Sequence, residues 1–481
     1  MSEAPILNSK KLQLSTKLAY GAGDMGAGIT ATLLAFSLLF FLTKVAGLNP
    51  GMAGAVVAIG KVSDAINDPI IGVLSDRTRS RWGRRHSWIL MGSIPFGLFF
   101  FLQWLVPHFS NNVADNNWGL FWYYVIISIL FNLAFTAVNL PYTALTAEIS
   151  QDFNERTSLN SFRFTFSILG SILALLLEIV IKGIIPDPTQ QYWVLGLVCS
   201  VLSVLPLYWC VWGTEERYTP ETAAKPLPIL AQVKIAFSNR PFLYVIGIYF
   251  CSWLAFQLTA ANLRFFVLKW MEYDGDTWIA LTVQAVAIVM LFVWTAVSAR
   301  MGKRMVYFLG MSLWIMAQGG LFFLQPGQIV GLYFLSVISG VGVATAYLVP
   351  WSMLPDVIEL DELKTGERRE GIFYAIMVFL QKMGLALGIF LVGQALDASG
   401  FITPAPGLPI PAQPPEALFA IRVIIGPLPT VILLIGLLLA YFYPISREVH
   451  AEILLKLRER RLGLQTSSNP APPQMDVMDD P

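Results

Sequence analysis

Charge is scarce in this chain, and cysteine and histidine are scarcer. Only 13% of its 481 residues are Asp, Glu, Lys or Arg, against roughly 25% in an ordinary soluble protein. Most of its surface therefore cannot face water. Cys199, Cys210 and Cys251 lie in apolar runs without paired spacing, which excludes a disulfide framework or a zinc cluster and leaves them as small buried or lipid-facing residues. His86, His108 and His450 fall outside the cores of the apolar runs, so no histidine proton relay is expected there. The phosphate-cradling G-x-x-x-x-G-K-[ST] motif does not occur, which disfavours a pump that hydrolyses ATP directly. No Ser/His/Asp or zinc-ligand cluster supports an intramembrane enzyme either. A net charge of +1, with Lys and Arg held in short loops, offers nucleic acid no basic surface. The first twenty residues are polar, and the next apolar run is too long for a signal-peptide core, so no removed leader is expected.

What the chain has is apolar length, with 56% hydrophobic residues. A helix of about 20 apolar residues satisfies its own backbone while crossing lipid. Twelve such stretches are predicted at 20–43, 52–74, 88–107, 119–143, 161–183, 191–213, 241–268, 277–299, 305–325, 329–351, 371–396 and 417–443. Basic residues collect in alternate loops: the amino-terminal segment, 75–87, Arg156, 214–240, 300–304, Lys364 with Arg368 and Arg369, and the tail after 444. Positive charge stays cytoplasmic, which predicts both termini inside a cell membrane. Lys44 and Lys269 are the main exceptions on the opposite side.

The expected organisation is an amino-terminal six-helix half (1–213), a cytoplasmic linker (214–240), a carboxy-terminal six-helix half (241–443), and a cytoplasmic tail (444–481). The polar end from Thr466 is expected to be disordered, and the Pro-rich stretch 402–415 to be an external loop. Arg81-Trp82-Gly83-Arg84-Arg85 is echoed by Arg300-Met301-Gly302-Lys303-Arg304. Two halves related by such a parallel repeat are the major facilitator arrangement, an all-α membrane fold of twelve transmembrane helices.

Ionisable groups inside spans are costly and mark function by default. In the second span, Lys61-Val-Ser-Asp64-Ala-Ile-Asn67-Asp68-Pro69 sets Asp64 and Asp68 one turn apart on one face. Two close carboxylates repel, so the pair suits reversible capture of Na⁺ or H⁺. Asp24 sits among Gly21, Gly23, Gly26 and Gly28, small residues that let helices approach or bend. Arg163 in the fifth span and Lys382 in the eleventh are the natural partners of these acids. Three aspartates against two cations leave one negative charge, which a single monovalent cation would neutralise. Asn132, Asn139, Gln257, Gln284 and Gln381 are further polar groups at span depth, while Glu178 and Arg264 are expected at interfacial span ends.

The run Asp64-Ala-Ile-Asn-Asp68-Pro69-Ile-Ile-Gly72, followed by Asp76-Arg-Thr-Arg-Ser-Arg81-Trp-Gly83-Arg84-Arg85, resembles the glycoside–pentoside–hexuronide:cation symporters. Further matches are Tyr20-Gly-Ala-Gly-Asp24, Pro141-Tyr142-Thr-Ala-Leu, Glu155-Arg156, Phe162-Arg163-Phe164, Pro350-Trp351-Ser-Met-Leu-Pro355-Asp356, Glu362-Leu-Lys-Thr-Gly366-Glu-Arg368-Arg-Glu370-Gly371 and Lys382. The resemblance implies that Asp64 and Asp68 bind the coupling cation, that Asp24 and Arg163 recognise the solute, that Lys382 links both, and that the halves rock. It further implies a cytoplasmic loop acting in gating, carried by Asp76, Arg81, Gly83 and Arg84. The chain departs from the family's melibiose-transporting member, with Asn139 where that protein has an acid and Thr143 where an aromatic residue stacks on sugar. An amide oxygen at Asn139 could complete a Na⁺ cage. The runs beginning at Asn139 and Pro350 also resemble the animal sodium-dependent lysophosphatidylcholine symporters of the same wider family.

The expected function is therefore symport of a sugar or glycoside with Na⁺, or with H⁺, by a monomer embedded in the bilayer. A lysophospholipid is the alternative cargo, and a non-transporting receptor or scaffold the alternative class.

Overall fold

The computed structural model describes residues 12–150, 153–216, 234, 236–365, 370–403 and 412–467. Among these there is no strand, and the helices are α1 (Leu14–Ala22), α2 (Met25–Leu33), α3 (Pro50–Arg77), α4 (Arg84–Leu102), α5 (Val113–Ile149), α6 (Phe153–Ile184), α7 (Pro188–Gly213), α8 (Arg240–Phe265), α9 (Asp276–Met301), α10 (Lys303–Phe323), α11 (Ile329–Thr365), α12 (Glu370–Ala398), α13 (Pro415–Ile425), α14 (Pro427–Phe442) and α15 (Arg447–Ser467). Twelve passes result, because α1 and α2 form one interrupted rod and α13 and α14 another, broken at Gly426 before Pro427. π-helical stretches Leu34–Leu38 and Phe41–Val45 extend the first pass, and Phe266–Trp270 extends the seventh.

Nine of the rods are long and apolar enough to cross a membrane by length and composition alone. The other three are the first pass with its pitch changes, α3 with Lys61, Asp64 and Asp68, and α4, which opens on Arg84 and Arg85. Every predicted span overlaps an observed rod. Several helices run past the apolar core: α3 has 28 residues, about 42 Å at 1.5 Å per residue, against a hydrocarbon thickness of about 30 Å.

The two described ends lie on one face of the bundle, here the termini face; the opposite one is the far face. α3 packs along α5 of its own half and α12 of the other, α6 meets α9, and α8 meets the π-helical stretch Leu34–Leu38. Small residues permit this closeness: a Cβ at Gly393 of α12 would stand 2.4 Å from the Pro50 carbonyl oxygen, and one at Gly28 of α2 would stand 1.9 Å from that of Ser167.

The faint sequence echo is a structural repeat. Gly83 (φ 93°, ψ 161°) and Gly302 (φ 83°, ψ 156°) share one left-handed backbone conformation, each immediately before the next helix, and only glycine adopts it without strain. The tail after 444 opens with α15, an expectation the composition did not yield. Thr466 and Ser467, where the disordered end is expected to begin, close α15; the rest of that end, most of the linker (217–233), the loop residues 404–411 and Gly366, Arg368 and Arg369 lie outside the described residues.

Candidate functional site

Asp64 stands at the middle of α3, and the helix repeat places Lys61, Asp64 and Asp68 on one face. That face meets α5 and α12. Lys382 reaches across from the other half, with its Nζ 2.6 Å from Asp68 Oδ2 and 3.0 Å from Asp64 Oδ2. Lys61 Nζ is 3.6 Å from Asp64 Oδ2 and donates to Asn132 Oδ1 at 2.7 Å. Thr136 Oγ1 lies 2.7 Å from Asp64 Oδ1 and 3.0 Å from Asp68 Oδ1, so its single proton bridges the pair by serving one carboxylate at a time. The Asp64 side chain is 0% exposed and that of Asp68 28%. One carboxylate is sealed in protein while its neighbour is partly exposed.

This arrangement corrects two expectations. Lys61, buried beside Asp64, supplies a third positive charge, so Asp24, Asp64 and Asp68 are balanced by Lys61, Lys382 and Arg163 and the expected surplus negative charge disappears. Asn139 forms no hydrogen bond to either carboxylate among the described residues; Thr136, earlier on α5, bonds both, and Asn132 of the same helix accepts from Lys61. Lys61 was legible, since it lies three residues before Asp64 on the same face. Thr136 carries no signal a sequence distinguishes from an ordinary span threonine.

Asp24 occupies the break between α1 and α2, with Arg163 Nε of α6 3.6 Å from its Oδ2. The Arg163 guanidinium also lies over the Phe164 ring at 4.9 Å. Below the break, Tyr142 donates to the Tyr20 carbonyl oxygen at 2.6 Å, their rings stack at 5.0 Å, and the Tyr20 hydroxyl is bonded to Thr146. Thr143 spends its hydroxyl on the Leu140 carbonyl of its own helix at 2.9 Å. On the opposite half, Trp253 of α8 packs against Tyr347 of α11 with centroids 5.7 Å apart, and its indole N–H donates to the Gln381 carbonyl, next to Lys382, at 2.9 Å.

A second cluster joins the halves at the far face. Arg264 of α8 holds Glu178 of α6 with both terminal nitrogens, Nη1–Oε1 at 2.5 Å and Nη2–Oε2 at 2.6 Å, and also donates to Ser37 and Tyr192. Lys182 bonds Asp276 at 3.1 Å and Thr277 at 2.9 Å. Arg264 and Glu178 are 1% and 2% exposed. Both stand near the far-face ends of their helices, where the sequence puts them, but they are buried between the halves: their charges are met by cross-half partners, which an apolar run with one charge does not reveal.

At the termini face, Gly83 lets the chain turn into α4, whose first amide N–H groups are free to bond outside the helix. Glu216 accepts from the N–H of Arg84 and Arg85, each at 2.8 Å, and from that of His86. The Arg84 and Arg85 side chains both bond Glu148. In the other half Lys303 bonds Asp356 at 2.6 Å, and His450 of α15 lies 2.6 Å from Glu359. Arg81 is exposed over Trp82, and the Asp76 side chain lies outside the described residues.

A model of the family described as MFS/sugar transport protein matches residues 19–447. The chain is 51% identical to the uncharacterized symporter sll1374 of Synechocystis sp., over 95% of this chain and 98% of that one. It is 28% identical to the sodium-dependent lysophosphatidylcholine symporter 1-B of Danio rerio, over 95% of this chain and 92% of the relative. Among solved structures, a D-xylose-proton symporter superposes with a TM-score of 0.64 at 15% identity, covering 89% of this chain and 96% of that one, a likeness that speaks for the fold alone. Its relatives and its fold are those of transporters, not of enzymes. The chain belongs to the MFS/sugar transport family.

Proposed function

We propose that this member of the family is a cation-coupled symporter in which Na⁺ and the Lys382 ammonium compete for Asp64 and Asp68. The observation that carries this reading is the sharing of two carboxylates by one lysine from the opposite half. A site already neutral gains little from an added cation while Lys382 stays in place. Once Lys382 withdraws, the aspartates face each other across Thr136, and a small hard cation satisfies what the ammonium left; carboxylate, hydroxyl and amide oxygens are its preferred donors. Because Lys382 belongs to the other half, exchange of ammonium for ion is tied to movement between halves. H⁺ is the alternative coupling ion, taken up by Asp68, the more exposed acid.

Asp24 and Arg163 are the proposed solute-recognition pair, because their 3.6 Å separation leaves both with bonding capacity. A sugar or glycoside is the first cargo: its hydroxyls fit a paired acid and guanidinium, and Trp253 offers an aromatic face beside Lys382. A lysophospholipid is the second, favoured by the 28% identity to symporters so named. Asp76, Arg81, Gly83 and Arg84 form the proposed gating loop on the cytoplasmic side, with both termini inside the cell membrane and the chain acting as a monomer.

Proteoliposomes test the proposal. Sugar or lysolipid should accumulate against its gradient only when Na⁺ or H⁺ is higher outside; uptake indifferent to either ion would refute coupling, and absence of any flux would leave the receptor or scaffold class.

A further inference from the structure

The outer flank of the amino-terminal half carries a feature the transport pathway does not use. Between the start of α4 and the end of α7 lies a cavity of about 620 Å³, lined by Trp82, Leu90, Met91, Tyr208 and Trp212 among others. Its walls are open to the side, with Met91 74% and Trp212 80% exposed. His86, among its lining residues, is already bonded to Thr214 at 2.9 Å and lies against Glu216, so the surface presented is mainly apolar. Deeper in the bundle the two helices close on each other, where Ser200 donates to the Gly97 carbonyl at 2.7 Å.

The rim has the opposite character. Arg81 lies over the ring of Trp82, 5.2 Å from its centroid, and Arg77 and Arg79 are exposed on the same turn of chain. Arg84 and Arg85 are spent on Glu148, and Glu216 is spent on three backbone N–H groups. Among the described residues none of Arg77, Arg79 and Arg81 forms an ion pair. Trp at both lips marks headgroup depth, and unneutralised arginines at that depth attract anionic lipid.

We infer that this groove is a binding site for one anionic glycerophospholipid of the leaflet at the termini face, with an acyl chain between α4 and α7 and its phosphate against Arg81. Such a lipid fastens the loop preceding α4 to the bilayer, outside the solute pathway.

Native mass spectrometry of the full-length protein, titrated with phosphatidylglycerol, phosphatidylcholine and lysophosphatidylcholine in turn, tests this. One phosphatidylglycerol should be retained at least fivefold better than phosphatidylcholine, and Arg81→Gln or Trp212→Ala should each bring retention down to the phosphatidylcholine level. Met91→Trp, which fills the groove from an exposed position, should do the same with melting temperature unchanged. Equal retention of the two phospholipids, unchanged retention in all three variants, or preference for lysophosphatidylcholine would each overturn the assignment.

Discussion

Two ionic clusters tie the halves together, and they are built from different chemistry. At the far face a planar guanidinium holds Glu178 through two parallel bonds, and this pair is sealed from solvent. At mid-depth a lysine ammonium on a flexible stem is divided between two carboxylates, one of which is partly exposed. Arginine's fork fixes a geometry, whereas an ammonium is a point charge that another cation can replace. The contrast separates a seam built to hold from the contact proposed to exchange.

The sharpest way to break this contrast is to remove the exchanging acid. Asp68→Cys should abolish gradient-driven uptake in proteoliposomes while leaving membrane insertion and the folded bundle intact; undiminished concentrative uptake would refute its assignment. Next in size, Lys382→Ala leaves two carboxylates without their shared partner, at a cost of about 3–5 kcal/mol. Its melting temperature should fall in Na⁺-free buffer and recover with added Na⁺ by more than the parent protein gains; no difference in the Na⁺ response would show that ion and ammonium do not compete.

The far-face seam should respond differently. Glu178→Gln removes the carboxylate that Arg264 grips and should shift the balance toward far-face opening by roughly tenfold, about 1.4 kcal/mol. Thiol labelling of Leu48→Cys, buried in the far-face connection before α3, should accelerate accordingly, and unaltered labelling would remove the seam from conformational control. The smallest effect belongs to α15: His450→Ala deletes its bond to Glu359, worth about 1 kcal/mol. Protease cleavage after Lys456 or Arg458 should quicken with initial uptake changed less than twofold, and an unchanged cleavage rate would mean that His450 does not dock the helix.

The bundle was legible because lipid leaves backbone no alternative to helix, and apolar length then counts the passes. The partnership of Lys382 with Asp64 and Asp68 was also readable, since buried charges must find opposites. Distance in sequence hides the rest. Glu178, Arg264 and Asp276 come from three helices, and nothing local distinguishes an arginine that crosses a seam from one that reaches toward headgroups. The charge count failed for a related reason: Lys61 stood in the same run as Asp64, but whether its stem turns inward depends on Asn132, 71 residues away. Glu216 likewise fastens onto α4 over 130 residues. Gly83 and Gly302, by contrast, announced themselves as a repeated motif because the left-handed turn admits so little else.

The π-helical stretches Phe41–Val45 and Phe266–Trp270 fall in equivalent positions of the two halves, and a further one, Leu34–Leu38, occurs in the first pass alone among the described residues. A π-helical turn accommodates one more residue than an α-helical turn. Ser37 lies within such a stretch and accepts from Arg264 at 2.9 Å. Rewinding that turn to ordinary α pitch would rotate the hydroxyl by about 100° about the axis, out of reach of the guanidinium. Torsion along a single rod thereby touches the contact between two bodies: a slip of one residue would take away one partner of Arg264 while its grip on Glu178 and Tyr192 stays.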